Sequence, residues 1–389
     1  MRRLGELPAS QFTLPPGAMG PDPDRLQPLF GAGGDLLPLW VAEPYLPIAP
    51  PIVEALRDRA ATPWYGYEQR SERLASAFWA WTEERHGWGG DGLVASVSPS
   101  VGTSIGALLE LRTEPGDGVI LQSPVFTDFK PLVVSAGRRV VKNPLVLDGD
   151  RYRMDLEGLE ESVADASCRA LILCNPHNPV GRSWTRDELR AVAEVCAANE
   201  VFVIADEIHA DLTLPGHAFT PFAEVAPEGG WAALHGPIKT FGLAGVCDSL
   251  LVTSDSSVVD DYRAMSSRLH LTRNQVFSLA AFEAAYTRGG PWVDELLALV
   301  QRNHAALVRG LPVEIAVTPL EATYLGWLDL RGLGLEVPEI VDWLGTKARV
   351  AMSPGHWFGR EGAGFARMTL AVPEDWIAEA IERISSAIA

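Results

Sequence analysis

Cysteine is scarce in this chain of 389 residues: there are four, at Cys168, Cys174, Cys196 and Cys247, and none forms a CxxC pair. That spacing argues against a disulfide framework or a thiolate zinc site and predicts buried free thiols. Basic residues are also few, 32 Lys and Arg against 50 Asp and Glu, for a net charge of −18. A phosphate-backbone partner needs the opposite balance, so nucleic acid is not an expected ligand. No window holds the run of about 20 apolar residues that a membrane helix requires. The opening stretch MRRLGELPASQFTLPPGAMG has two arginines but no apolar segment behind them. It does not read as a secretory signal, and a cytoplasmic location is the expectation. Internal repeats and low-complexity linkers are missing as well, which leaves an ordinary globular composition, 47% hydrophobic and 21% charged.

The length calls for two domains. The first 35 residues are rich in Pro and Gly and read as irregular. From about 95 to 285, short apolar runs alternate with amphipathic stretches, the pattern of βαβ units around a mostly parallel sheet. LILCNP (171–176) reads as a buried strand ending in turn residues. TRDELRAVAEVCAANE (185–200) then opens with Thr185 and Glu188 at capping-box spacing, with Leu189, Val192, Ala193 and Cys196 on one face. VFVIADE (201–207) is the next strand. Beyond 285 a long helix at 291–311 leads to strands near 321–330 and 364–372 and a last amphipathic helix at 375–388. We therefore expect a large domain over 45–285, and a smaller α+β domain from 286–389 joined by residues 1–44.

Ligands of open α/β sheets bind at the carboxyl ends of the strands, so the polar residues there are the candidates. Asp206 ends one strand. It either caps the following turn or sits behind a heteroaromatic nitrogen to keep it protonated, with His209 three residues on as a hydrogen-bond donor. A metal site using His209 and His217 lacks tight ligand spacing, and no metal is expected. NPHNPVGR (175–182) carries two Asn-Pro pairs, a stiff turn that could hold the Asn178 amide against a ligand. Gly102, Thr103 and Ser104 open an apolar helix, either as plain capping residues or as an anion site. Phe126 follows the strand in VILQSPVFTDF, as a core ring or as a stacking surface for a planar ligand.

In order along the chain, PLWVAEPYLPIAPPIVEAL (38–56), YGY (65–67), NPHNPVGR, DEIHADL, KTFGLAG (239–245), EATYLGWLDLRGL (321–333) and GHWFGREGAGFARMTLA (355–371) cover nearly its whole length. Together they resemble the fold-type I pyridoxal-phosphate (PLP) enzymes, and within the class I/II aminotransferases the cystathionine β-lyase-like, or C–S lyase, branch. The resemblance implies an α/β fold of the PLP-dependent transferase type, with pyridoxal 5′-phosphate as cofactor. It makes Lys239 the Schiff-base lysine and catalytic base, pairs Asp206 with the pyridinium nitrogen, and sets Asn178 and His209 on the 3-hydroxyl. Phe126 would stack on the ring, while Gly102, Thr103 and Ser104 would hold the phosphate. Tyr67 would reach the phosphate in a neighbouring subunit, which implies a homodimer with shared active sites. Arg367 would grip the carboxylate of an amino-acid substrate, and the backbone of Val41 and Ala42 would line the substrate side.

The implied reaction is elimination from an S-substituted cysteine to a thiol, a 2-oxo acid and ammonia. An aminotransferase, or a decarboxylating or oxidatively deaminating relative, would use the same residues, and a silent binding protein would keep the fold without the chemistry. The chain departs from the family pattern around its lysine. Serines expected one and three positions before it are Ile238 and Gly236, and the asparagine of KTFN is Gly242. The usual ring tyrosine is Phe126, and the asparagine expected after Arg367 is Thr369. Such changes fit a diverged member acting on a cysteine conjugate in a specialised biosynthetic pathway.

Overall fold

The computed structural model describes residues 17–32, 34–68, 72–272 and 275–388, together with residues 4, 14 and 15. Its centre is a seven-stranded sheet. In spatial order the strands are Val94–Ser98, Ser249–Thr253, Trp231–His235, Phe202–Asp206, Cys168–Cys174, Gly118–Leu121 and Arg139–Lys142. Neighbouring strands run parallel except Ser249–Thr253, which is antiparallel to both of its neighbours. The central strands are buried along their whole length except at the half-buried Arg169. Helices cover both sheet faces, so continuous apolar runs rather than alternating ones form these strands.

Helix Arg186–Ala198 carries the capping box read from the sequence: Thr185 Oγ1 accepts from the Glu188 amide, and Glu188 returns to the Thr185 amide. Its buried residues are Leu189, Val192, Ala193 and Cys196. These pack against Leu171, Leu173 and Val203 of the sheet. On the other face, helices Val101–Arg112 and Ser256–Arg268 bury Leu108, Val258 and Tyr262 against Ile172 and Ile204. All four cysteines are free thiols and buried.

A second, antiparallel sheet has the order Ala316–Val317, Leu325–Asp329, Phe365–Thr369, Ser353–Pro354. Trp327 stacks on Phe365 within it, ring centroids 5.3 Å apart. Helix Gly290–Gly310 anchors to the chain after this sheet, where buried Asn303 Nδ2 donates to the carbonyls of Leu370 (2.8 Å) and Val372 (2.9 Å). Leu37–Pro38 pairs in parallel with Val350–Ala351, so the N-terminal segment is stitched to the C-terminal part of the chain.

One expectation needs correction. The N-terminal stretch read as irregular contains a helix, Pro23–Phe30. Asp22 caps it, Pro23 occupies its first turn, and Gly31 closes it in the left-handed region at φ 69°. Proline at a first helical position and glycine just past the end are favourable there, so here these residues mark helix boundaries rather than a loop. Residues 1–3, 5–13, 16 and 33 of that stretch lie outside the described residues.

Among the described residues no helix is long and apolar enough to cross a membrane.

Candidate active site

Strand pairing collects the candidate residues along one edge of the large sheet. Ser98 lies opposite Ser249, Leu250 opposite His235, Leu234 opposite Asp206, and Asp206 opposite Cys174. The loops leaving this edge carry residues 99–104, 175–182, 207–212 and 236–242. Each strand ends where its apolar run ends, which is why the polar groups meet there.

Asp206 is buried, and its carboxylate accepts a hydrogen bond from the Ile208 amide at 3.2 Å. Burial pushes its pKa up to about 6, against the opposing pull of that amide and of the Lys239 charge. His209 is also buried, with no partner on Nδ1, and burial drives it toward the neutral form.

Lys239 sits in the four-residue helix Ile238–Phe241 and donates from Nζ to the Ala42 carbonyl at 3.0 Å. Burial lowers its pKa first, and the neighbouring Arg367 charge adds to that, so the ammonium is destabilised. The helix is closed by Gly242 at φ 69°. Asparagine and glycine are the residues that most readily take this left-handed conformation, so the change from KTFN to KTFG keeps the turn. Thr240, next to Lys239, donates to Asp211 Oδ2 at 3.0 Å, and Asp211 also accepts from Trp81 and His86. These bonds clamp the lysine turn to the loop that carries His209.

Arg367, in the middle of the strand Phe365–Thr369, is buried. Its Nη1 donates to Asn178 Oδ1 (3.0 Å), and its Nη2 to the Trp40 carbonyl (2.9 Å) and Ser353 Oγ (3.3 Å). The guanidinium lies 4.7 Å above the Phe358 ring, and Nε has no partner. Burial pulls its pKa down to about 10. A buried cation with a free donor is costly unless something anionic completes it.

Asn178 is held by a braced turn. Asn175 Nδ2 donates to Glu207 and to the Thr220 carbonyl, His177 Nε2 bonds the Pro124 carbonyl at 2.9 Å, and Arg182 pairs with Glu188 and Glu321. The Asn175–Pro176 and Asn178–Pro179 bonds are both cis.

Gly102, Thr103 and Ser104 lie in the first turn of helix Val101–Arg112, capped by Ser100, whose Oγ accepts from the Thr103 amide at 3.0 Å. Ser104 Oγ is buried without a partner. Phe126 is partly buried and meets Phe129 edge to face, centroids 5.4 Å apart. Val41 and Ala42 supply backbone: the Ala42 carbonyl takes Lys239 and also the Tyr324 hydroxyl, at 3.1 Å. Tyr67 stands apart on the surface, 94% exposed.

The structure thus brings together Lys239, Asp206, His209, Asn178, Arg367 and the Ala42 backbone. It adds residues to which the motifs assigned no role. Tyr324 shares the lysine's carbonyl and meets the His209 ring in a T-shaped contact, centroids 6.2 Å apart. Ser353 and Phe358 fix the arginine, and Asp211 fixes the lysine turn. Tyr324 and Phe358 lie within the quoted motifs, but nothing in their letters tells which atoms they touch.

Residues 91–384 match the family model described as aminotransferase class I and II. The chain belongs to that family. It is 36% identical to cystathionine β-lyase PatB of Bacillus subtilis over 371 residues, covering 94% of this chain and 95% of that one. Among solved structures, a PLP-bound protein of Clostridium difficile 630 designated an aminotransferase superposes with a TM-score of 0.90 at 32% identity, covering 98% and 97% of the two chains. Cystalysin from Treponema denticola, which contains pyridoxal 5′-phosphate, superposes with a TM-score of 0.89 at 27% identity, covering 95% of each. The fold is therefore the fold-type I PLP-dependent transferase fold.

Proposed function

We propose that this chain is a pyridoxal-5′-phosphate-dependent carbon–sulfur β-lyase. It takes an S-substituted cysteine and water to a thiol, pyruvate and ammonia. The observation that carries the reading is the buried meeting of a lysine with destabilised charge, a strand-end carboxylate and an arginine with an unused donor. Near-full-length similarity to a protein named cystathionine β-lyase supports the choice of reaction.

The residues present fit the cofactor. His209 Nδ1, Ser104 Oγ and Arg367 Nε are buried polar atoms without partners, and a polar ligand would satisfy them. Lys239 would hold the cofactor covalently, Asp206 and His209 its ring, and the start of helix Val101–Arg112 its phosphate. The Ser104 hydroxyl has no partner there and the Thr103 hydroxyl meets Ser100 Oγ, both at the positive end of the helix dipole, while the Thr103 and Ser104 amides are already bonded to Ser100. Phe126 would provide a ring face. When bound, the cofactor supplies an electron sink for the pair left at the substrate Cα.

The rest is the work of this chain's own side chains. Asp206 as carboxylate keeps the proton on the cofactor's ring nitrogen. Arg367 orients the substrate carboxylate, with Asn178 and the Trp40 carbonyl fixing its planar fork. Lys239, its ammonium disfavoured by burial, is suited to take the Cα proton as a neutral amine. The buried walls around Tyr324 and Phe358 keep water from these groups. On this reading residues 45–285 form the cofactor-binding domain and 1–44 with 286–389 the smaller one. Tyr67 acts in the site of a second copy.

The likeness to a neighbour designated an aminotransferase favours amino-group transfer as the second reading. One assay separates the two. Purified protein incubated with an S-alkylcysteine is expected to release thiol, pyruvate and ammonia in equal amounts. Amino transfer to an added 2-oxo acid without thiol would replace the lyase reading with the second one. Lys239→Ala is expected to remove both turnover and the visible absorbance of lysine-bound cofactor, and a band that survives the substitution would sink the cofactor assignment.

A further inference from the structure

A second cleft, of about 270 Å³, adjoins the site between the turn 123–128 with the start of helix Phe129–Ser135 and the turn 356–361. The two turns are joined by the Val125 amide donating to the Phe358 carbonyl at 2.9 Å. Phe126 and Phe358 both line this cleft. Phe358 is also the ring beneath the Arg367 guanidinium, so the cleft shares a wall with the proposed substrate-carboxylate site. Trp357 adds a further aromatic surface.

The charged lining is cationic although the chain as a whole carries −18. Lys130, Lys142 and Arg360 face one carboxylate, Glu361. Glu361 already pairs with Lys142 at 3.5 Å. Asp128, close by in the same turn, accepts from the Thr127 hydroxyl. Lys130 and Arg360 have no ion pair among the described residues, and both are exposed. A net positive rim over aromatic walls suits a short chain ending in an anion, with the methylenes against the rings and the charge at the rim.

Resting on the lyase reading, we infer that this cleft receives the S-substituent of the substrate, and that the preferred substituent ends in a carboxylate. Arg360 and Lys130 are then specificity determinants for the group on sulfur, separate from Arg367, which serves the α-carboxylate.

The test compares S-(2-carboxyethyl)cysteine with S-propylcysteine, which differ chiefly in the terminal charge. With the loaded enzyme, kcat/KM for thiol release is expected to be at least about fivefold higher for the carboxyethyl compound, a ratio that falls as salt screens the rim. The ratio is expected to collapse toward one in Arg360→Gln/Lys130→Gln. Calorimetric binding of the same two ligands to wild type and variant gives a readout independent of turnover. Cleavage of both compounds at equal efficiency, or a preference that survives the double substitution, overturns the cleft assignment and leaves the lyase reading standing. Charge-selective binding that depends on Arg360 and Lys130, without cleavage of either compound, upholds the cleft and removes the lyase reading.

Discussion

At Asp206 the requirements of function and stability oppose each other. Its folded pKa of about 6 lies above the ordinary carboxylate value, because burial disfavours the charge. A raised carboxylate pKa has a definite sign. The stability it contributes is fully present below about pH 4, where folded and unfolded forms are both protonated. It is lost as pH rises through about 6. At pH 8 the cofactor-free protein therefore holds a buried carboxylate at a cost of up to roughly 3 kcal/mol, about two pKa units. Asp206→Asn is expected to stabilise the cofactor-free protein against urea by about 1–3 kcal/mol at pH 8, with the gain fading toward pH 4. The same variant is expected to lose turnover, because a neutral amide cannot keep a ring nitrogen protonated. A variant less stable than the parent at pH 8 would show that the carboxylate is satisfied by the fold itself. The letters DEIHADL identify Asp206 and His209 as candidates, and burial explains why: an apolar strand that ends in an acid delivers it to the sheet edge. The letters leave out its neighbours. Arg367 and Asn178 are 189 positions apart and meet through a side-chain hydrogen bond that no local pattern encodes.

The turn 175–182 works as an element because Arg182 bolts it to two others. Its Nε bonds Glu321 Oε2 at 2.9 Å, its Nη2 reaches both Glu188 oxygens, and its guanidinium carbon sits 4.6 Å from the Trp184 ring centroid. Glu321 also accepts from the Ser183 amide and from Arg151. Arg182 and Glu321 are both buried. Removing one partner of a buried pair typically costs about 3–5 kcal/mol where it strands the other charge, and the Arg151 and Ser183 bonds that Glu321 would keep place this case at the low end. Arg182→Met is expected to destabilise by about 3 kcal/mol in chemical denaturation. It is also expected to raise KM more than it lowers kcat, because the turn that aims Asn178 at Arg367 loosens. An unchanged unfolding midpoint would mean that Glu188 and Glu321 find other partners. Elements of this kind differ in how far they can be read in advance. Helix Arg186–Ala198 is legible because its cap and its apolar face are both local patterns. Helix Pro23–Phe30 was hidden by its own boundary residues, since proline and glycine mark loops as often as helix ends. The bolt itself could not be read, because Glu321 lies 139 positions from Arg182.

For the whole molecule, the open question is what covers the aromatic surface beside the site. Trp64, Tyr65 and Tyr67 are 55%, 57% and 94% exposed, and Phe277 is 37% exposed. Tyr65, Tyr67 and Phe277 line a broad hollow of about 840 Å³ together with Pro99, which directly precedes the Ser100 cap of the proposed phosphate helix. Clustered exposed rings mark an interaction surface. The hollow lies beside the helix start that Tyr67 is proposed to serve in a second copy. A symmetric pair of chains would bury these rings and carry Tyr67 from each copy toward the other. Sedimentation is accordingly expected to give twice the 42.1 kDa chain mass at micromolar concentration. Tyr65→Ser/Phe277→Ser is expected to shift the protein toward single chains, and Tyr67→Phe to weaken cofactor retention while leaving the mass unchanged. If the pair shares its sites, the dissociated variant must also lose cofactor on dilution, whereas a paired interface remote from chemistry would let separated chains keep it. A monomeric parent, or a monomeric variant with unaltered cofactor affinity, would return Tyr67 to the status of a surface residue.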